Sequence, residues 1–126
     1  MTRALLIEDH EADAQLLWEV LELAGMDWTV EHVTTFAEAG QRWPGGCFDV
    51  LLLDLDLPDG LGLELLARAL TLAQEAAVVV LSGLADGELA TRARHLGARG
   101  YVVKGLNAAE DLRQIMASSG SGQVLK

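Results

Sequence analysis

The chain has 126 residues, 51% hydrophobic and 22% charged, which suits one domain with its own core and excludes disorder over most of its length. Its 19 Asp and Glu against 9 Lys and Arg leave a net charge of −10, which argues against non-specific nucleic-acid binding by this domain. The single cysteine, Cys47, cannot form an internal disulfide and fits a reducing cytoplasm.

The N-terminal apolar run is short and meets Glu8 and Asp9 at once, unlike a signal peptide. No stretch is apolar for long enough to suggest a membrane helix.

In chain order, short apolar runs alternate with amphipathic segments. Residues 4–7 form the first run. Residues 12–24 carry Leu16, Leu17, Val20, Leu21, Leu23 and Ala24 at helical spacing and stop at Gly25. Residues 28–33 mix Trp28, Val30 and Val33 with Thr29, Glu31 and His32, the composition of an edge strand. Thr35-Phe36-Ala37-Glu38 reads as a capping box opening a second helix, closed by Pro44-Gly45-Gly46.

Residues 50–53 and 76–81 are continuous apolar runs, as is the shorter run 101–103. Such runs suit strands buried on both faces of a parallel sheet. Between them lie a third helix over 61–72 and a fourth capped by Asp86. The fourth has Leu89, Ala90, Ala93 and Leu96 on one face and Gly97 at its end. Asn107 and Glu110 can open a fifth helix with Leu112, Ile115 and Met116 inward. Ser118-Ser119-Gly120-Ser121-Gly122 has a linker composition, so residues 1–117 are expected to form the domain and 118–126 a flexible tail or linker.

Five strands and five helices in strict alternation predict an α/β fold with right-handed crossovers. The expected form is a doubly wound, flavodoxin-like (βα)5 sheet of order 2-1-3-4-5, with residues 28–33 at an edge.

Ligand crevices of such sheets lie beyond the C-terminal strand ends. Glu8 and Asp9 follow the first run, Asp54 the third, Ser82 the fourth and Lys104 the fifth. Polar residues often begin loops, but this set together points to a site. Two carboxylates 4 Å apart repel by about 4 kcal/mol at an effective dielectric of 20, so a proton or a cation is expected among the three. Hard oxygen ligands suit Mg²⁺; no Cys or His is expected near enough to suggest zinc. Ser82 and Lys104 can bind phosphoryl oxygens, and Asp54 between them and the metal is placed to act as a carboxylate nucleophile.

Four motifs carry a resemblance to the response-regulator receiver domains of two-component signalling, with their chemotaxis-Y-like fold. They are Leu6-Ile7-Glu8-Asp9, the run from Asp49 through Asp54 to Pro58-Asp59-Gly60, Val80-Leu81-Ser82-Gly83, and Gly97 through Tyr101 to Lys104. The resemblance covers residues 3–117. It implies that Asp54 accepts a phosphoryl group from a sensor histidine kinase or phosphotransfer protein. It implies Mg²⁺ held by Glu8, Asp9, Asp54 and the backbone carbonyl of Asp56. Ser82 becomes the switch hydroxyl, Lys104 the phosphate-binding lysine and Tyr101 the switch aromatic. The face built from the fourth helix, fifth strand and fifth helix then signals to an effector domain or protein. Such a domain catalyses only its own phosphorylation and dephosphorylation, binds neither nucleic acid nor membrane directly, and is cytoplasmic.

The chain departs from the pattern at Gly105, where the family usually has proline, so a trans bond and a more mobile loop are expected. Arg99-Gly100 stands where winged-helix regulators often carry acids used in dimerisation. Asp56 and Asp59 read as solvated loop acids, and Pro58 and Gly60 as turn residues. His10 reads as a surface residue opening a helix, His32 and His95 as structural or exposed, and Cys47 as inert. Trp18, Trp28 and Trp43 are too scattered for a stacking platform.

Three other functions compete. A degenerate receiver acting as a protein-interaction module has Gly105 in its favour. An aspartate-nucleophile phosphohydrolase has the Asp54-Leu55-Asp56 pattern, but on the wrong strand and without room for a cap. A flavin-binding flavodoxin is disfavoured by the acidic 8–10 loop.

Overall fold

The computed structural model describes residues 1–57 and 59–121, with the backbone only for Asp56 and residues 118–121. In chain order the elements are β1 (Thr2–Ile7), α1 (Glu11–Leu23), β2 (Trp28–Val33), α2 (Phe36–Arg42), β3 (Val50–Asp54), β4 (Asp56–Leu57), β5 (Gly60–Leu61), α3 (Gly62–Ala73), β6 (Ala77–Ser82), α4 (Gly87–Leu96), β7 (Gly100–Val103) and α5 (Ala108–Ser121).

The main sheet runs β2-β1-β3-β6-β7, with every neighbouring pair parallel. Counted over these five strands, the order is 2-1-3-4-5, with β2 at an edge as its mixed composition requires. The antiparallel pair β4–β5 is an addition to the expected alternation. Strands of two residues carry too little sequence pattern to be read beforehand.

Strand side chains alternate between two cores. Leu6, Leu52, Leu81 and Val102 pack on one side against Leu17 and Leu21 of α1 and Leu112 of α5. Leu5, Leu53 and Val80 pack on the other against Leu65 and Leu66 of α3 and Ala93 of α4. Both faces are covered, so the strands read as unbroken apolar runs. Truncating a wholly buried leucine such as Leu52 to alanine costs about 3 kcal/mol, part transfer and part cavity.

The starts of α2 and α4 follow their capping chemistry. Thr35 accepts the Glu38 N–H, and Asp86 accepts the Leu89 N–H. The Glu38 carboxylate closes its box on Thr34 instead of Thr35, taking both the backbone N–H and the hydroxyl of that residue. Those bonds, the backbone one foremost, hold its pKa below the usual carboxylate value.

Two leucines expected inward are outward. Leu23 is 87% exposed and Leu96 is 48% exposed. Leu23 stands about one and two-thirds turns past Leu17, off the buried stripe. Leu96 ends α4 just before Gly97 turns the chain. Ala24, also expected inward, is the exposed C-cap of α1. Helix α5 runs on to Ser121, four residues into the segment read as a tail; residues 122–126 and Pro58 lie outside the described residues.

Candidate functional site

The strand alternation places the charged groups. Glu8, Asp54 and Lys104 each come two residues after a side chain of the α1–α5 core, namely Leu6, Leu52 and Val102. They therefore emerge at the C-terminal sheet edge on the same side. Ser82 follows Val80 of the opposite core by two, and Tyr101 packs against that core.

Lys104 is the hub. Its Nζ lies 2.7 Å from Glu8 Oε1, 3.1 Å from Asp13 Oδ2 and 3.4 Å from Asp54 Oδ2. Glu8 is 1% exposed and Asp54 is 5% exposed, the two buried charged residues among those described. A buried carboxylate without a cation is strongly unfavourable, and Lys104 supplies one. Burial by itself would depress the Lys104 pKa. Hydrogen bonds to Glu8 and Asp13, with the charges of Asp54 and Glu8, overcome that and hold it above the ordinary lysine value.

Asp13, in the first turn of α1, was not singled out in the sequence. First-turn acids are common for helix-dipole reasons, so its spacing gave no separate signal.

The two oxygens of Glu8 face different neighbours. Oε1 takes Lys104, whereas Oε2 accepts the His10 backbone N–H at 3.2 Å. The His10 ring is drawn over the acids, with Nδ1 3.5 Å from Glu8 Oε2, 3.4 Å from Asp9 Oδ1 and 4.0 Å from Asp13 Oδ2. Ligand atoms of Glu8, Asp9, His10 and Asp54 all lie within 4.8 Å of one another. This corrects the expectation that no histidine stands near the acids. His10 does open α1, but its side chain makes no capping bond and turns to the acid cluster.

Asp9 Oδ1 is closed off from solvent and has no hydrogen-bond partner. A buried anionic oxygen left in that state is costly, and a bound cation would satisfy it. The carboxylate set therefore fits a hard divalent ion. The side chain of Asp56 lies outside the described residues.

Ser82 and Tyr101 meet at one residue. Ser82 Oγ accepts the Leu84 N–H at 3.1 Å, and the Tyr101 hydroxyl donates to the Leu84 carbonyl at 2.8 Å. Ser82 also binds the Lys104 segment through its backbone, its carbonyl accepting the Lys104 N–H at 2.7 Å. The chain holds Gly105 at φ 143°, and no cis peptide bond occurs among the described residues.

Asp59 is more than a solvated loop acid. Its two carboxylate oxygens accept the Phe36 N–H at 3.0 Å and the Ala37 N–H at 3.1 Å, tying the β4–β5 turn to the start of α2. The Phe36 bond is the chief cause of its lowered pKa. His32 is structural in the sense expected, with Nε2 2.7 Å from the Glu8 carbonyl oxygen. His95 and Cys47 are exposed. Trp43 stacks on Phe48 at 5.3 Å, while Trp18 and Trp28 lie elsewhere along α1 and β2.

A doubly wound sheet with buried acids at the ends of β1 and β3, bridged by a lysine that follows the edge strand β7, defines a class with known members. The response regulator receiver domain matches residues 4–117, and the chain belongs to that family. It is 32% identical over 125 residues to the DNA-binding transcriptional activator DevR/DosR of Mycobacterium tuberculosis, covering 99% of this chain and 57% of that protein. It is 33% identical over 117 residues to the cell cycle response regulator CtrA of Brucella ovis, covering 91% of this chain and 49% of the relative. The chain thus spans about half the length of these relatives.

Among solved structures, it resembles a CheY-like receiver domain protein from Methanospirillum hungatei with TM-score 0.76 and 26% identity, covering 98% of this chain and 97% of that one. A Burkholderia pseudomallei response regulator with a phosphorylated aspartic acid, calcium ion and citrate gives TM-score 0.74 and 26% identity, over 99% of this chain and 74% of that one. No helix among the described residues is long and apolar enough to cross a membrane.

Proposed function

We propose that this receiver domain accepts a phosphoryl group on Asp54 from the phosphohistidine of a sensor kinase or phosphotransfer protein. The observation that carries the reading is the approach of Lys104 Nζ to both Glu8 and Asp54 at the C-terminal sheet edge. A buried aspartate there has an ammonium beside it before any phosphate arrives.

In the transfer, an Asp54 carboxylate oxygen forms a bond to phosphorus as the N–P bond of the donor breaks. The bonding pair stays on the imidazole nitrogen of the donor. Lys104 shifts from the carboxylates toward the phosphoryl oxygens and offsets their charge. Ser82 accepts from Leu84 through its oxygen, so its O–H can turn to donate to the phosphoryl group. Glu8, Asp9, Asp54 and the Asp56 carbonyl would hold Mg²⁺, which supplies positive charge to the phosphoryl oxygens.

The signal then passes through Leu84. When the Ser82 side chain moves toward the phosphoryl group to make that bond, its oxygen leaves the Leu84 N–H, while Tyr101 holds the other end of that residue. The 83–86 loop and the α4–β7–α5 face behind it change population. Residues 1–117 carry every group in this account. The domain acts in the cytoplasm as a switch for an effector domain or protein, and its only catalysis is on its own phosphoryl group. The DNA-binding activity named for the mycobacterial relative suggests a transcriptional output.

The test is intact-mass measurement after incubation with Mg²⁺ and acetyl phosphate, beside Asp54→Asn. A single Mg²⁺-dependent phosphoryl adduct, absent from the variant, is expected. No adduct on the folded protein, with acetyl phosphate or with a phosphorylated histidine-containing donor, overturns the reading.

A further inference from the structure

We propose that His10 is a direct ligand of the divalent cation at this site and makes it favour a first-row transition metal over Mg²⁺. The inference rests on the reading of Glu8, Asp9 and Asp54 as a metal site and adds a nitrogen donor to it.

The argument begins with a broken local rule. His10 occupies the N-cap of α1, where Ser, Thr, Asp or Asn would cap the first turn. It makes no side-chain capping bond. Departures of this kind, without a local gain, are characteristic of functional positions. The ring has gone to the acids instead.

Its separations fit shared coordination. Two donors bound about 2.1 Å from one ion stand about 3.0 to 3.5 Å apart, from octahedral to tetrahedral geometry. His10 Nδ1 is 3.4 Å from Asp9 Oδ1 and 3.5 Å from Glu8 Oε2. Asp9 Oδ1 is the buried oxygen without a hydrogen-bond partner, so a cation shared with the neighbouring donors would satisfy it.

Lys104 does not compete for those atoms. It takes Glu8 Oε1 and Asp54 Oδ2, leaving the His10 side of the cluster to the metal. The ring is 65% exposed and can adjust to an incoming ion without disturbing a core.

The donor set then decides selectivity. Carboxylates alone suit Mg²⁺, whereas an imidazole adds affinity for Mn²⁺ and later first-row ions and little for Mg²⁺. His10 is thus a specificity-determining residue for the cofactor. A histidine that merely forms an ion pair with Glu8, Asp9 and Asp13 would give no metal–nitrogen bond.

The experiment uses the whole chain with Mn²⁺ and Mg²⁺ as probes. Calorimetric titration gives both affinities, and pulsed electron paramagnetic resonance of the Mn²⁺ form detects directly bonded nitrogen. The wild type and His95→Ala are expected to show coupling to one imidazole nitrogen. His10→Ala is expected to lose it, with Mn²⁺ binding about tenfold weaker and Mg²⁺ binding changed by less than about twofold. His10→Ser, which can cap α1, is expected to behave like His10→Ala with the helix preserved, separating ligation from folding.

Absence of nitrogen coupling, or equal weakening of both ions in His10→Ala, overturns the inference. If Mg²⁺-dependent phosphorylation of Asp54 persists in that case, only the role of His10 has failed. If neither ion binds the wild type, the metal site itself fails with it.

Discussion

The ammonium of Lys104 lies 3.1 Å from the Asp13 carboxylate, joining the end of β7 to the first turn of α1 across a sequence separation of 91. In the proposed phosphorylation this ion pair would make Asp13 a competitor with Asp54 for the lysine. Asp13 is 41% exposed, so its own contribution to stability is screened to at most about 1 kcal/mol. Asp13→Asn is expected to leave the urea midpoint nearly unchanged and to tighten binding of beryllofluoride, a phosphoryl mimic, by about threefold. Unchanged or weaker binding, read by fluorescence titration, would show that Asp13 does not restrain Lys104.

Removing Lys104 itself is a larger perturbation, because Glu8 then sits buried without its cation. Lys104→Met is expected to lose about 3 kcal/mol near neutral pH without added divalent ion. The folded-state pKa of Lys104 is raised above the ordinary 10.5. Its stabilisation is therefore fully present below that value and disappears as pH rises through the higher folded value. The gap in urea midpoint between wild type and Lys104→Met should shrink as pH passes 10.5. A gap that stays constant there would count against the ion-pair account.

Asp59 works in the opposite direction. Its pKa is lowered from 3.8, chiefly by the Phe36 N–H. The stabilisation is present above 3.8 and is lost as pH falls through the depressed folded value. Asp59→Ala should cost about 1 kcal/mol near neutral pH, as loss of a helix cap does. The difference from wild type should close in acid, and thermal melts of both proteins across that range would show it.

Gly105 stands where receivers usually have proline, but its φ of 143° is far from the −65° that a pyrrolidine ring imposes. Space around a Cβ at this position is open, so any penalty comes from the backbone. Gly105→Ala is expected to cost about 1 kcal/mol, and Gly105→Pro about 3 kcal/mol with slower phosphorylation as Lys104 is displaced. Proline tolerated with full stability and rate would mean that the loop readily adopts another conformation.

Ser82 and Tyr101 act on opposite ends of the Leu84 backbone. Their effects should therefore be coupled. Ser82→Ala and Tyr101→Phe are each expected to cost about 1 kcal/mol, and the double variant about 0.5 kcal/mol less than their sum. Strict additivity in a double-mutant cycle of urea unfolding would remove Leu84 as the link.

The sequence by itself determined the sheet, because a strand covered on both faces must be apolar at every position, as residues 50–53 are. It also determined the acids and the lysine, since Glu8, Asp54 and Lys104 are charges at the ends of such runs. Helix faces were legible only in part: Leu17 and Leu112 are inward, while Leu23 and Leu96 are not. What each charge touches belonged to the tertiary structure. Asp13 and Lys104 meet only because α1 packs beside α5 over the same sheet face. Asp59 reaches α2 from a two-residue hairpin too short to leave a periodic signal. His10 looked like an ordinary helix opener because the sequence shows its position along the chain, whereas ligation depends on which way the ring turns. Asp9 is the neighbour of His10 in the chain, but only the folded loop turns the ring toward Asp9 Oδ1, an oxygen closed off from solvent and without a hydrogen bond.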